Sequence, residues 1–96
     1  MSAWDELLDL IDHLAGNESP GQSVERTFSR LITEAISAGD VDGELHVEDT
    51  ARWLTAMLSA HRSARAAHPE VAADDDLAVL RLIVTRWLHP QRPRVQ

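Results

Sequence analysis

Twelve consecutive residues, Leu77-Ala78-Val79-Leu80-Arg81-Leu82-Ile83-Val84-Thr85-Arg86-Trp87-Leu88, are apolar almost all round when wound into a helix. A helix on the surface of a small domain needs one apolar stripe; a helix apolar on most sides must be covered on more than one of them. The chain has 96 residues, enough for one domain and one modest core that buries about 60–65% of the unfolded surface. A four-helix monomer of that size covers one broad face of each helix. The second apolar face of this segment therefore asks for a partner.

The rest of the chain supplies three more helical segments. The first is expected over Ala3–Ala15, where Trp4, Leu7, Leu8, Ile11 and Leu14 recur at helical spacing and Asp5, Asp9 and Asp12 take the wet side. Ser2 and Asp5 form a capping-box pattern, and Gly16-Asn17 ends the helix. The second begins at Pro20 behind Ser19, or at Val24 behind Ser23, and ends at Gly39. Its stripe is Val24, Phe28, Leu31, Ile32, Ala35 and Ile36. A turn-rich connector, residues 40–46, follows with Val41 and Leu45 as apolar anchors. The third helix is expected from Val47 to about Ala66 and carries two stripes. Val47, Ala51, Leu54, Leu58 and His61 make one; Trp53, Met57, Ala60 and Ala64 make the other. His68-Pro69 breaks it, because the residue before a proline is pushed out of helical geometry. Asp74-Asp75-Asp76 opens the fourth helix in a capping and dipole role, and Pro90 stops it. The expected fold is thus an all-α, four-helix antiparallel bundle-like domain over residues 1–90, with a flexible tail over 91–96.

Charge and composition narrow the function classes. The net charge is -7, with sixteen acids against nine basic residues, all of them arginine. Residues 1–50 carry twelve acids and two arginines, whereas residues 51–96 carry four acids and seven arginines. Two halves packing through complementary surfaces is the expected use of that asymmetry. A nucleic-acid footprint would need clustered positive charge and a basic domain overall, so no direct nucleic-acid binding is expected. The absence of cysteine excludes disulfides, thiolate metal sites and a cysteine nucleophile. No apolar run approaches the roughly 18 residues that cross a bilayer, and the N-terminus Met-Ser-Ala-Trp-Asp-Glu is unlike a signal peptide. A soluble cytoplasmic protein with no membrane contact is expected. Arginine without lysine, beside thirteen alanines, matches the composition of a GC-rich bacterial genome.

No catalytic constellation stands out. The chain has no glycine-rich phosphate loop, no Gly-x-Ser-x-Gly elbow and no His-Glu-x-x-His pair. Asp9 and His13 stand four apart on the first helix, but no second pair at matching spacing completes a metal site. The three aspartates 74–76 read as helix-end chemistry rather than a cation cluster. An enzyme, a metal or a cofactor is therefore not expected. His61, on the apolar stripe of the third helix, reads as a core-edge histidine, or as a polar contact in a ligand cavity or across a dimer seam.

From Leu31 to Leu88 the residues resemble the C-terminal half of tetracycline-repressor-type (TetR-family) transcriptional regulators. Leu31-Ile32-Thr33-Glu34-Ala35-Ile36-Ser37-Ala38-Gly39-Asp40 is similar to a family helix that runs into an alanine-glycine-acid turn. Glu44-Leu45-His46-Val47-Glu48-Asp49 resembles the connector that follows, with His46-Val47 where the family usually has Asp-Pro. Thr50-Ala51-Arg52-Trp53-Leu54-Thr55-Ala56-Met57-Leu58 resembles its small-residue-rich helix, and Asp75 to Leu88 its long final helix. The resemblance covers about 60% of the chain and includes no counterpart of the family's three-helix DNA-binding domain. It implies a ligand-sensing and dimerisation domain, freestanding or cut from a longer regulator, in which the last two helices pair with their copies. Stripe geometry then assigns Trp53, Met57, Ala60, Ala64, Val79, Ile83, Arg86 and Trp87 to the dimer interface. It assigns Phe28, Ile32, Leu54, Leu58 and His61 to the wall of a pocket for a small apolar or aromatic ligand. Trp53 and Met57 could also line an apolar pocket, with plain core or dimer packing the alternative for those two, and a helical dimer that binds another protein and no ligand is the alternative function.

Overall fold

A computed structural model describes residues 2–16 and 22–90, and among them the chain forms four α-helices. They are α1 (Ala3–Ala15), α2 (Gln22–Ala38), α3 (Val47–Ala67) and α4 (Ala73–Leu88), packed as an all-α, bundle-like domain. The expected starts of α2 at Pro20 behind Ser19, the Asn17 stop and the tail Gln91–Gln96 lie outside the described residues. No helix among the described residues is long and apolar enough to cross a membrane.

The helix ends follow from local chemistry. Ser2, in extended geometry, accepts a hydrogen bond on its Oγ from the Asp5 backbone N–H at 3.1 Å, which satisfies one of the free donors of α1. Gly39 ends α2 with a φ of +85°. Its N–H donates to the Ile36 carbonyl at 3.0 Å and the Asp40 N–H reaches back to Ala35 at 2.9 Å, the paired bonds of a Schellman stop. Gly16 closes α1 differently, with a negative φ of -96°. The two glycines therefore differ in what alanine would cost, since a Cβ meets nothing within 4 Å at either. Gly39→Ala is expected to lower stability by about 1 kcal/mol through the left-handed backbone alone, while Gly16→Ala leaves it level or slightly raised. Urea unfolding of the two variants, followed by helicity, checks the contrast.

The starts of α3 and α4 carry no side-chain cap. The backbone of His46 starts α3, its carbonyl accepting from both the N–H (2.9 Å) and the Oγ1 (2.8 Å) of Thr50, with no side-chain cap. At α4 the cap position is Ala72, so Asp74, Asp75 and Asp76 occupy the first turn and serve the helix dipole rather than the cap. Asp76 has a second task. Its Oδ2 accepts from Arg65 at 3.0 Å while the same guanidinium nitrogen donates to the Val71 carbonyl at 2.6 Å, tying the end of α3 to the start of α4.

The core is one cluster. Leu7 and Ile11 of α1, Phe28, Leu31, Ile32 and Ala35 of α2, Ala51, Leu54 and Leu58 of α3, and Leu80, Val84 and Leu88 of α4 are all buried. Val41 plugs it from the connector, which is pinned by a 2.8 Å bond from the Asp42 N–H to the Leu88 carbonyl at the end of α4. Across the α1–α4 edge Arg81 and Asp12 form an ion pair between the two halves, 3.5 Å apart. Asp12 is thus at the α1–α4 edge rather than on the wet side of α1.

Candidate functional site

α3 and α4 lie side by side, and the face they share away from the core is apolar. On α4 the buried positions Leu80, Val84 and Leu88 occupy one arc. Of the other apolar residues of the helix, Leu77 and Trp87 are half-buried against the core, whereas Val79 is 54% exposed, Leu82 52% and Ile83 49%. On α3 the stripe Ala51, Leu54 and Leu58 goes inward, and the second stripe leaves Trp53 56% exposed. Between the helices run two open concavities. One, of about 220 Å³, is lined by Met57, Ala60, His61, Ala64, Asp76, Val79, Leu80 and Ile83. The other, of about 370 Å³, is lined by Trp53, Met57, Ile83 and Trp87. Met57 and Ile83 line both, so the two form one continuous groove.

Seven of the eight residues assigned to the dimer interface, Trp53, Met57, Ala60, Ala64, Val79, Ile83 and Trp87, line this groove. The eighth, Arg86, is exposed on α4 nearby. Leu82 is as exposed as these and was not singled out by the sequence; its only signal was membership of an over-apolar helix. A single solvent-exposed apolar side chain is ordinary, but a contiguous groove across two helices is not.

The five residues assigned to a ligand pocket separate. Phe28, Ile32, Leu54 and Leu58 are fully buried in the core and line neither concavity of the groove. Their stripes meet one another in the single core cluster. His61 belongs to the α3–α4 groove. Both of its ring nitrogens are buried and neither has a hydrogen-bond partner among the described residues. A buried polar group left unpaired costs about 1–3 kcal/mol.

Asp9 and His13 are both exposed on α1, and no group of three or more histidine or acidic side chains among the described residues could hold a metal ion. Comparison with protein-family models, with curated protein sequences and with solved structures finds no match.

Proposed function

We propose that this chain is a helical homodimerisation domain of the TetR type, in which α3 and α4 pair with their copies in a four-helix seam. The exposed apolar groove of α3 and α4 carries the proposal. Its dimensions fit: α4 has 16 residues, about 24 Å at the usual helical rise. Two helices side by side give a face about 20 Å wide, hence about 500 Å² per protomer and 1,000 Å² for the pair. That reaches the lower bound of specific interfaces, and an apolar centre with arginine at its rim has the usual anatomy.

The remainder of the bundle is then a rigid support for the seam. Within the wider reading, a sensor that answers a small apolar or aromatic ligand, a ligand among α1–α3 would have to displace Phe28, Ile32, Leu54 or Leu58, all fully buried. The closed core therefore favours the second reading, a helical dimer that works through protein contacts without an internal ligand. In either case the chain acts through what it is joined to or paired with, and not by reading nucleic acid itself.

Sedimentation velocity across a micromolar concentration series tests the dimer: a shift from monomer to dimer is expected, and a monomer at tens of micromolar would overturn it. A thermal-shift screen with apolar and aromatic compounds separates the two readings. An unchanged melting temperature is expected if no ligand enters the bundle, and a reproducible rise restores the sensor.

A further inference from the structure

The outermost ridge of α4 carries a pattern that specifies how a second copy would lie on it. Asp75, Val79, Leu82 and Arg86 stand at i, i+4, i+7 and i+11, so at about 100° per residue they share one arc of about 60°. That arc points opposite Leu80, Val84 and Leu88, and all four of its side chains are exposed. Read along the helix, the ridge runs acid, apolar, apolar, base. Reversing it and exchanging the copies places each acid on a base and each apolar residue on an apolar one.

We infer that α4 packs antiparallel against α4 of a second copy, about a two-fold axis beside residues 80 and 81, with Asp75 facing Arg86 of the other copy at both ends. This rests on the dimer proposed above and adds its orientation and register. An isologous interface must be self-complementary under its two-fold axis. Parallel pairing would set Asp75 against its own copy and Arg86 against its own, two like-charge contacts in place of two attractive ones. In the antiparallel register Val79 meets Leu82 of the second copy twice, at the centre, where apolar contact belongs.

The choice among acids is also made by the structure. Asp76, one residue on, already accepts from Arg65 at 3.0 Å and is partly buried between α3 and α4. Asp75 is exposed, and its carboxylate makes no ion pair among the described residues. The two charges are about 16 Å apart along the helix, so the rungs stand at opposite ends of the apolar centre and hold the register from both. Their contribution is to orientation more than to affinity, as expected of rim charges.

Charge reversal tests the register. Asp75→Arg alone and Arg86→Asp alone each put two like-charge contacts into the antiparallel dimer, and each is expected to weaken self-association about tenfold at low salt. The double variant restores opposite charges and should recover wild-type affinity. An equimolar mixture of the two single variants should form heterodimers in preference to either homodimer, because every rung is then paired. Sedimentation equilibrium reads the affinities, mixed samples with one partner tagged read the heterodimer, and helicity confirms that each variant is folded. A monomeric wild-type protein would remove the dimer and this geometry with it. A dimeric wild type whose single variants are unaffected, or whose double variant is not restored, would overturn the antiparallel register and leave the dimer standing.

Discussion

Phe28→Ala is expected to remove about 3–5 kcal/mol of folding stability, the cost of deleting a buried aromatic ring and leaving its cavity behind. Phe28 is fully buried and is the largest of the fully buried side chains, at the junction of α2 with the rest of the core. A domain of 96 residues has about 5–14 kcal/mol to lose, so one substitution takes about a fifth of the total or more. The urea midpoint should fall by about 2 M, enough to leave a partly unfolded population at physiological temperature. Trp53→Ala deletes a larger ring, yet Trp53 is 56% exposed in the single chain. Its effect on unfolding of the monomer should be within about 0.5 kcal/mol, as for other surface substitutions. If the two variants unfold at the same urea concentration, the division between core and outer stripe is wrong.

That division is also where sequence and structure part. The elements were legible because each end has its own chemistry. Ser2 and the Asp5 N–H cap α1, Gly39 accepts a φ of +85°, and His68-Pro69 cannot continue α3; the helices end within about one residue of those marks. The two-striped character of α3 and the excess apolar surface of α4 were legible too, since periodicity reports faces directly. What a stripe meets is another matter. Phe28, Ile32, Leu54 and Leu58 look the same in sequence whether they enclose a ligand or one another, because both demand apolar side chains at helical spacing. Within α4 nearly every position is apolar, so the pattern has no phase, and Leu82 could not be told from Leu80 until α1 and α3 chose a side. Long-range polar contacts have no periodic signature at all. The Asp42 N–H to Leu88 carbonyl bond, and the Arg81–Asp12 contact that moves Asp12 off the wet face, appear only once the helices are packed.

Ile83→Asp should separate the copies while leaving each one folded. Ile83 lines both concavities of the α3–α4 groove, and half of its surface is open in the single chain. A carboxylate there stays hydrated in the monomer, so folding stability should change by no more than about 0.5 kcal/mol. In the dimer the same carboxylate is desolvated among Met57, Val79 and Trp87, and no arginine lines either concavity. Two-fold symmetry introduces it twice. Leaving a charge buried and unpaired costs about 3–5 kcal/mol, so two of them should raise the dimer dissociation constant by at least about a thousandfold. The melting temperature offers an independent reading. Folding coupled to association makes it rise with protein concentration, and removing association abolishes that dependence. The wild-type protein should therefore melt higher as it is concentrated, and Ile83→Asp should melt at one temperature throughout with unchanged far-ultraviolet circular dichroism. A variant that still sediments as a dimer would place the seam elsewhere. A variant that loses its helicity would show instead that Ile83 belongs to the core, against its 49% exposure.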